Sequence, residues 1–185
     1  MTGLVQPHQT SGEDRLARWK RESAVAEWLL AAAEDPRSAR AQWAAQDVAL
    51  LVCGRQFTAV RLPGELVRAA AGGEDQDEND LNAFLGRALE GGPVTRDRSA
   101  DHYFALVPVT TEWPESNPVF PAVEHLHRGW YLGVPAVDRT KPYGRAYWSV
   151  PMRTPGCLCD PLLVRSLVRR GEAHHQALES PGAGR

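Results

Sequence analysis

The hydrophobic pattern of this chain changes period at Val48. Before it, Leu16, Trp19, Val25, Ala26, Leu29 and Ala33 fall in a stretch that carries no proline or glycine from Glu13 to Glu34. That pattern predicts a long amphipathic helix over 13–35, with these residues on one broad face. Asp35-Pro36 ends it, because proline disfavours helical geometry in the residue before it. Thr10-Ser11-Gly12-Glu13 has the form of a capping box, and residues 1–12 read as a flexible arm. From Val48 the apolar residues come in short runs. Val48 to Val52 is unbroken, Gly54-Arg55 interrupts, and Phe57 to Leu62 resumes, which reads as two strands joined by a tight turn.

Further along, Pro63 to Ala71 predicts a short helix closed by Gly72-Gly73. The run Glu74 to Asp80, five acids in seven residues, reads as a solvated loop. Asp80 then caps a helix whose stripe is Leu81, Phe84, Leu85, Ala88 and Leu89, stopped at Gly91-Gly92. Pro93–Arg96 and His102–Val107 form a hairpin, and Val123–His127, Trp130–Val134 and Tyr147–Val150 are further strands. Asp160-Pro161 opens a terminal helix with Leu163, Val164, Leu167 and Val168 inward; Gly171 closes it and leaves 172–185 as a flexible tail. The expected architecture is α+β: one domain over 36–171, with a mixed or mostly antiparallel sheet covered by helices, a long N-terminal helix and a C-terminal helix.

The setting follows from a few counts. Over 185 residues the net charge is −2, so no bulk attraction draws the chain to nucleic acid or anionic lipid. No apolar run approaches the roughly 20 residues of a membrane span, and Met1 to Asp14 lacks the basic-then-apolar order of a secretory signal. Of three cysteines, Cys157 and Cys159 lie one residue apart, which is no disulfide framework. A cytoplasmic protein is expected. Lysine occurs only at Lys20 and Lys141 against abundant arginine and alanine, the codon bias of a GC-rich bacterial genome.

Two groups of residues bear chemistry. His125 and His127 project to one side of a strand, and with His102 and Glu124 they are the candidate metal ligands; Cys157 and Cys159 are too closely spaced for tetrahedral chelation. Trp113, Trp130, Tyr131, Tyr143, Tyr147 and Trp148 are interleaved with basic residues in the C-terminal half. Stacking and phosphate neutralisation by Arg128, Trp130, Arg139, Lys141, Arg145 and Trp148 would suit a nucleotide or single-stranded nucleic acid. The alternative is that the rings pack a sheet and the arginines keep it in water. P-loop, nucleophile-elbow and His-Glu-x-x-His patterns are absent from the sequence, and no cofactor is called for.

The order of segments carries a resemblance. A segment containing Trp43 is followed by Phe57-Thr58-Ala59-Val60-Arg61-Leu62-Pro63, a helical stretch, Gly92-Pro93-Val94, His102-Tyr103-Phe104-Ala105-Leu106-Val107-Pro108 and Val123-Glu124-His125-Leu126-His127-Arg128-Gly129-Trp130-Tyr131-Leu132-Gly133-Val134-Pro135. From Trp43 to Pro151 the chain resembles the N-terminal domain of the bifunctional DNA primase/polymerase family, in its short stand-alone bacterial form. The resemblance implies a primase/polymerase-like fold and a site in which two acids spaced i, i+2 on a strand hold divalent metals. The matching register falls on Arg61 and Pro63, and no acid occurs from Val48 to Gly64. The family's histidine would correspond to His102 and its third acid to Glu124. The reading that follows is a catalytically silent domain retaining weak nucleotide or nucleic-acid binding. Two rivals stand beside it. One is an interaction or regulatory module that meets a protein partner, or itself, through the helix bearing Trp19 and Trp28. The other is a metal-dependent enzyme using His102, Glu124, His125 and His127.

Overall fold

The computed structural model describes residues 12–73, 75–114 and 117–179. Their helices are α1 (Gly12–Leu30), α2 (Pro36–Gln46), α3 (Gly64–Ala71), α4 (Glu78–Ala88) and α5 (Pro161–Glu179). The strands are β1 (Val48–Val52), β2 (Thr58–Pro63), β3 (Val94–Asp97), β4 (His102–Val107), β5 (Glu124–Leu126), β6 (Tyr131–Pro135) and β7 (Ala146–Val150). The chain is α+β with two antiparallel sheets: a five-stranded one in the order β5-β2-β4-β3-β7, and a ribbon of β1 with β6.

Strand alternation gives the five-stranded sheet two different faces. Val60, Leu62, Tyr103, Ala105 and Val107 point to one side, where Leu66, Leu85, Val164 and Leu167 from α3, α4 and α5 close a core. Ala59, Leu106, Leu126 and Trp148 point to the other, toward Val25 and Leu29 of α1, Ala39 of α2 and Ala49, Leu51, Leu132 and Val134 of the ribbon. Helix α2 also satisfies the ribbon's polar backbone. Gln42 accepts from the Leu50 amide at 2.9 Å, and the Trp43 indole donates to the Val134 carbonyl at 2.9 Å.

Several sequence expectations are corrected. β1 and β2 do not form a hairpin. The loop between them closes on itself through the Gly54 amide and the Phe57 carbonyl, 2.7 Å apart, and carries the chain from the ribbon to an inner strand of the larger sheet. Within the apolar run, Leu50 is left 55% exposed, because the ribbon buries only one face. Asp35-Pro36 begins a helix rather than ending one: Asp35 caps α2 by accepting from the Arg37 amide, and α1 has already stopped at Leu30. Asp77, not Asp80, caps α4, so Glu78 and Asp80 of the acidic run lie in its first turn. Thr10 and Ser11 of the capping box lie outside the described residues.

At the C-terminus, α5 runs through Gly171 to Glu179. A Cβ at Gly171 would lie 2.8 Å from the Leu66 carbonyl oxygen, so this glycine lets α5 approach α3 and does not cap a helix. The stretch expected as a tail is anchored by Glu172, which accepts from Asn117 at 2.6 Å, and by His175 against Phe120.

α1 does not bury the broad face expected of it. At about 100° per residue, Leu16 and Val25 differ by half a turn. Val25 and Leu29 are buried, whereas Leu16 and Trp19 are 51% and 63% exposed.

Candidate functional site

The face of the larger sheet that meets α1 and the ribbon is not filled to its end. Register puts Glu124, Arg61 and Phe104 side by side across β5, β2 and β4, with Thr95 of β3 next to them. One step along, Pro63, His102, Asp97 and Ala146 form the adjoining row. Over these rows opens a cleft of about 580 Å³, whose far wall is the outward face of the ribbon, with Leu50, Tyr131 and Gly133, and whose rim is Trp130 and Arg145. A second cavity of about 330 Å³ shares Gln46, Val48, Arg145 and Ala146 with the first, and Arg139, Lys141 and Tyr143 border it. The two form one groove, apolar and aromatic at one end; at the other, Arg139, Lys141 and Arg145 share the lining with Tyr143 and with Asp47 and Asp138, both of which pair with Arg139.

The polar groups of the floor are mutually committed. Arg61 pairs with Glu124 at 2.9 Å and donates through Nε to the Ala122 carbonyl at 3.1 Å. Asp97 accepts at a single oxygen from the Ser99 hydroxyl, 2.6 Å, the Ser99 amide, 2.9 Å, and the Ala100 amide, 3.3 Å. Partial burial alone would raise its pKa, but those hydrogen bonds, with Arg145, hold the carboxyl below its ordinary value. His102 is held below its ordinary value by partial burial and then by Arg61, which together outweigh Asp97 and Asp101.

The candidate binding residues divide. Trp130 and Arg145 meet on the larger cavity, and Arg139, Lys141 and Arg145 meet on the smaller. Arg139 is tied to Asp47 at 2.5 Å, while Lys141 and Arg145 are exposed. Arg128 borders neither cavity; it lies on Gly54, where a Cβ would come within 2.7 Å of its Cα. Trp148 is 1% exposed with its indole nitrogen donating to the Pro135 carbonyl at 3.1 Å. It packs the core and has no face left for a ligand. The rings that do face the groove include Phe104, Tyr131 and Tyr143, and Leu50 joins them. Phe104 and Leu50 were not singled out, since both sit in apolar runs that read as buried strand.

The candidate metal ligands do not converge. His102 and Glu124 lie on the groove face, but His125 is on the opposite face, 2.9 Å from the Thr58 hydroxyl, with His127 beside it. Among the described residues, no group of three or more His, Cys, Asp or Glu side chains is arranged to hold a metal ion. Burial pushes the Cys53 and Cys159 thiols up to about 12, which leaves both as weak nucleophiles. No helix among the described residues is long and apolar enough to cross a membrane.

The two depressed histidines set an acid sensitivity. His125, like His102, is held below the ordinary 6.5 by burial, with its neighbour His127 adding to the effect. The unfolded chain takes up protons as pH falls through 6.5 while the folded chain resists, so stability declines below that point. A His102→Gln/His125→Gln variant should lose part of the decline in urea midpoint between about pH 7 and 5. A decline identical to the parent's would show that neither histidine is held neutral.

Comparison of the chain with family models, with curated proteins and with solved structures finds no match.

Proposed function

We propose that this chain is a catalytically silent domain of the primase/polymerase kind, and that its groove binds a nucleotide or the end of a nucleic-acid strand weakly and without turnover. The observation that carries the reading is the company kept by its exposed rings. Leu50, Trp130, Tyr131 and Tyr143 are among the large apolar side chains left in water, and all four stand on the groove beside Arg145 and Lys141. Aromatic faces along the groove, with the exposed cations Lys141 and Arg145 beside them, suit a base followed by phosphates.

Arg61 is the reason for silence. Metal-assisted nucleotidyl transfer needs carboxylates that fix divalent cations against a triphosphate. At the register where the resemblance calls for the first acid, this chain has a guanidinium, which repels a metal ion and engages the nearby Glu124. The acidic run offers no ready replacement, since Asp77 caps α4, Glu78 pairs with Arg98, and α4 packs on the face of the sheet opposite the groove.

Titration of tryptophan fluorescence in the parent and in a Trp130→Phe variant, with nucleoside triphosphates or with a short single-stranded oligonucleotide, tests the proposal, the variant separating Trp130 from the other five tryptophans. Binding should be micromolar or weaker, and few phosphate contacts should give a shallow salt dependence of about −1 to −2 in log K against log salt. Nanomolar affinity that persists at moderate salt, or no response with any nucleotide, would reject it.

A further inference from the structure

We propose that the outward side of α1 is a self-association surface, on which two copies of this chain pair their first helices antiparallel. Residues 12–21 of α1 are all exposed, and the body-facing residues Val25 and Leu29 begin only beyond them. Leu16 and Trp19 therefore form an apolar spot directed away from the domain, while Arg18 and Arg21 on the other side of the same segment line a cavity with Val137, Pro151 and Thr154.

The charges around that spot indicate a second copy rather than an unrelated partner. By helical phase, Glu13 and Lys20 flank Leu16 and Trp19 on one side, and Arg15 and Glu22 flank them on the other. In an antiparallel pair, Leu16 of each copy meets Trp19 of the other. Glu13 then faces Lys20 across the two-fold axis, and Arg15 faces Glu22, each contact occurring twice. A parallel pair would set Arg15 against Lys20, like against like, which selects against it; Glu22 and Glu27 would also meet there, each already paired in the chain, with Arg18 and Arg40 respectively. Gly12 and Ser23, at the ends of the same stripe, are small enough for the helices to close around the two tryptophans. Each flank carries one acid and one base, so a two-fold operation is self-complementary. The contact is short, about three helical turns, which places it among small and reversible interfaces.

Sedimentation equilibrium on the full chain tests this. A monomer–dimer equilibrium in the micromolar range is expected. Leu16→Ser/Trp19→Ser should weaken it at least tenfold while leaving thermal unfolding of the monomer unchanged, since neither side chain touches the core. Glu13→Lys and Lys20→Glu should each weaken the dimer, and the double variant Glu13→Lys/Lys20→Glu should restore it. A chain that is monomeric at all concentrations would overturn the proposal. So would a dimer indifferent to the serine pair, or a double charge variant no better than its singles.

Discussion

Replacing Arg145 by glutamate should reduce nucleotide binding by the groove at least tenfold, and Arg145→Glu/Lys141→Glu should remove it. Arg145 stands where the two cavities join, and Lys141 borders the smaller one. A charge-assisted hydrogen bond to phosphate contributes about 1.5–3 kcal/mol, and reversing the charge adds repulsion to that loss. Trp130→Ala should remove a stacking face, with a cost of about 1–3 kcal/mol per base. Arg128→Glu is the control: it changes net charge by the same amount, at a position bordering neither cavity. Equal losses from Arg128→Glu and Arg145→Glu would mean that binding follows overall charge and that the groove is not the site. Thermal unfolding of each variant shows whether the fold survives, and it should, because both arginines and Lys141 are exposed.

Gly171→Val should be the most destabilising change among those considered, by about 3 kcal/mol in urea unfolding. Its side chain would meet the Leu66 carbonyl at 2.8 Å and Leu66 Cγ at 3.0 Å, and α5 would have to withdraw from α3. That withdrawal uncovers Val164, Leu167 and Leu66, part of the core on the helical face of the sheet. Gly86 makes the contrasting case. It lies inside α4 with nothing within 4 Å of where a Cβ would be, so Gly86→Ala should stabilise by about 0.5–1 kcal/mol. If Gly171→Val proved no worse than neutral, the close approach of the two helices would be wrong.

The two glycines also show what was legible in the sequence. Local signals carried well. The turn between Arg96 and His102 joins a β3–β4 hairpin, and Gly72 closes α3 in the left-handed conformation at φ 110°. The stripe of Leu81, Phe84 and Leu85 is buried. Long-range pairing did not carry, because nothing within Val48 to Val52 says that its partner is β6 rather than its neighbour β2. Gly171 reads locally as a stop signal, and only the packing of α3 gives it another purpose. The groove was half legible. The crowd of aromatics and cations between Trp130 and Trp148 pointed to it, yet alternation buried Trp148 and exposed Tyr131. The rows Glu124–Arg61–Phe104 and His102–Asp97 come from four strands and can be aligned only once the sheet order is known.

On this reading the groove holds a nucleotide that it does not turn over. The most direct measurement incubates the protein with labelled nucleoside triphosphates and a primed template, with magnesium and separately with manganese, and follows bound and consumed nucleotide together. Triphosphate should bind in the micromolar range, bind at least tenfold more weakly to Arg145→Glu, and be recovered intact with the primer unextended. Template-dependent extension with either metal would contradict it, and its loss in an Asp75→Ala variant, which keeps the Asp77 cap of α4, would trace the missing carboxylate to the acidic run.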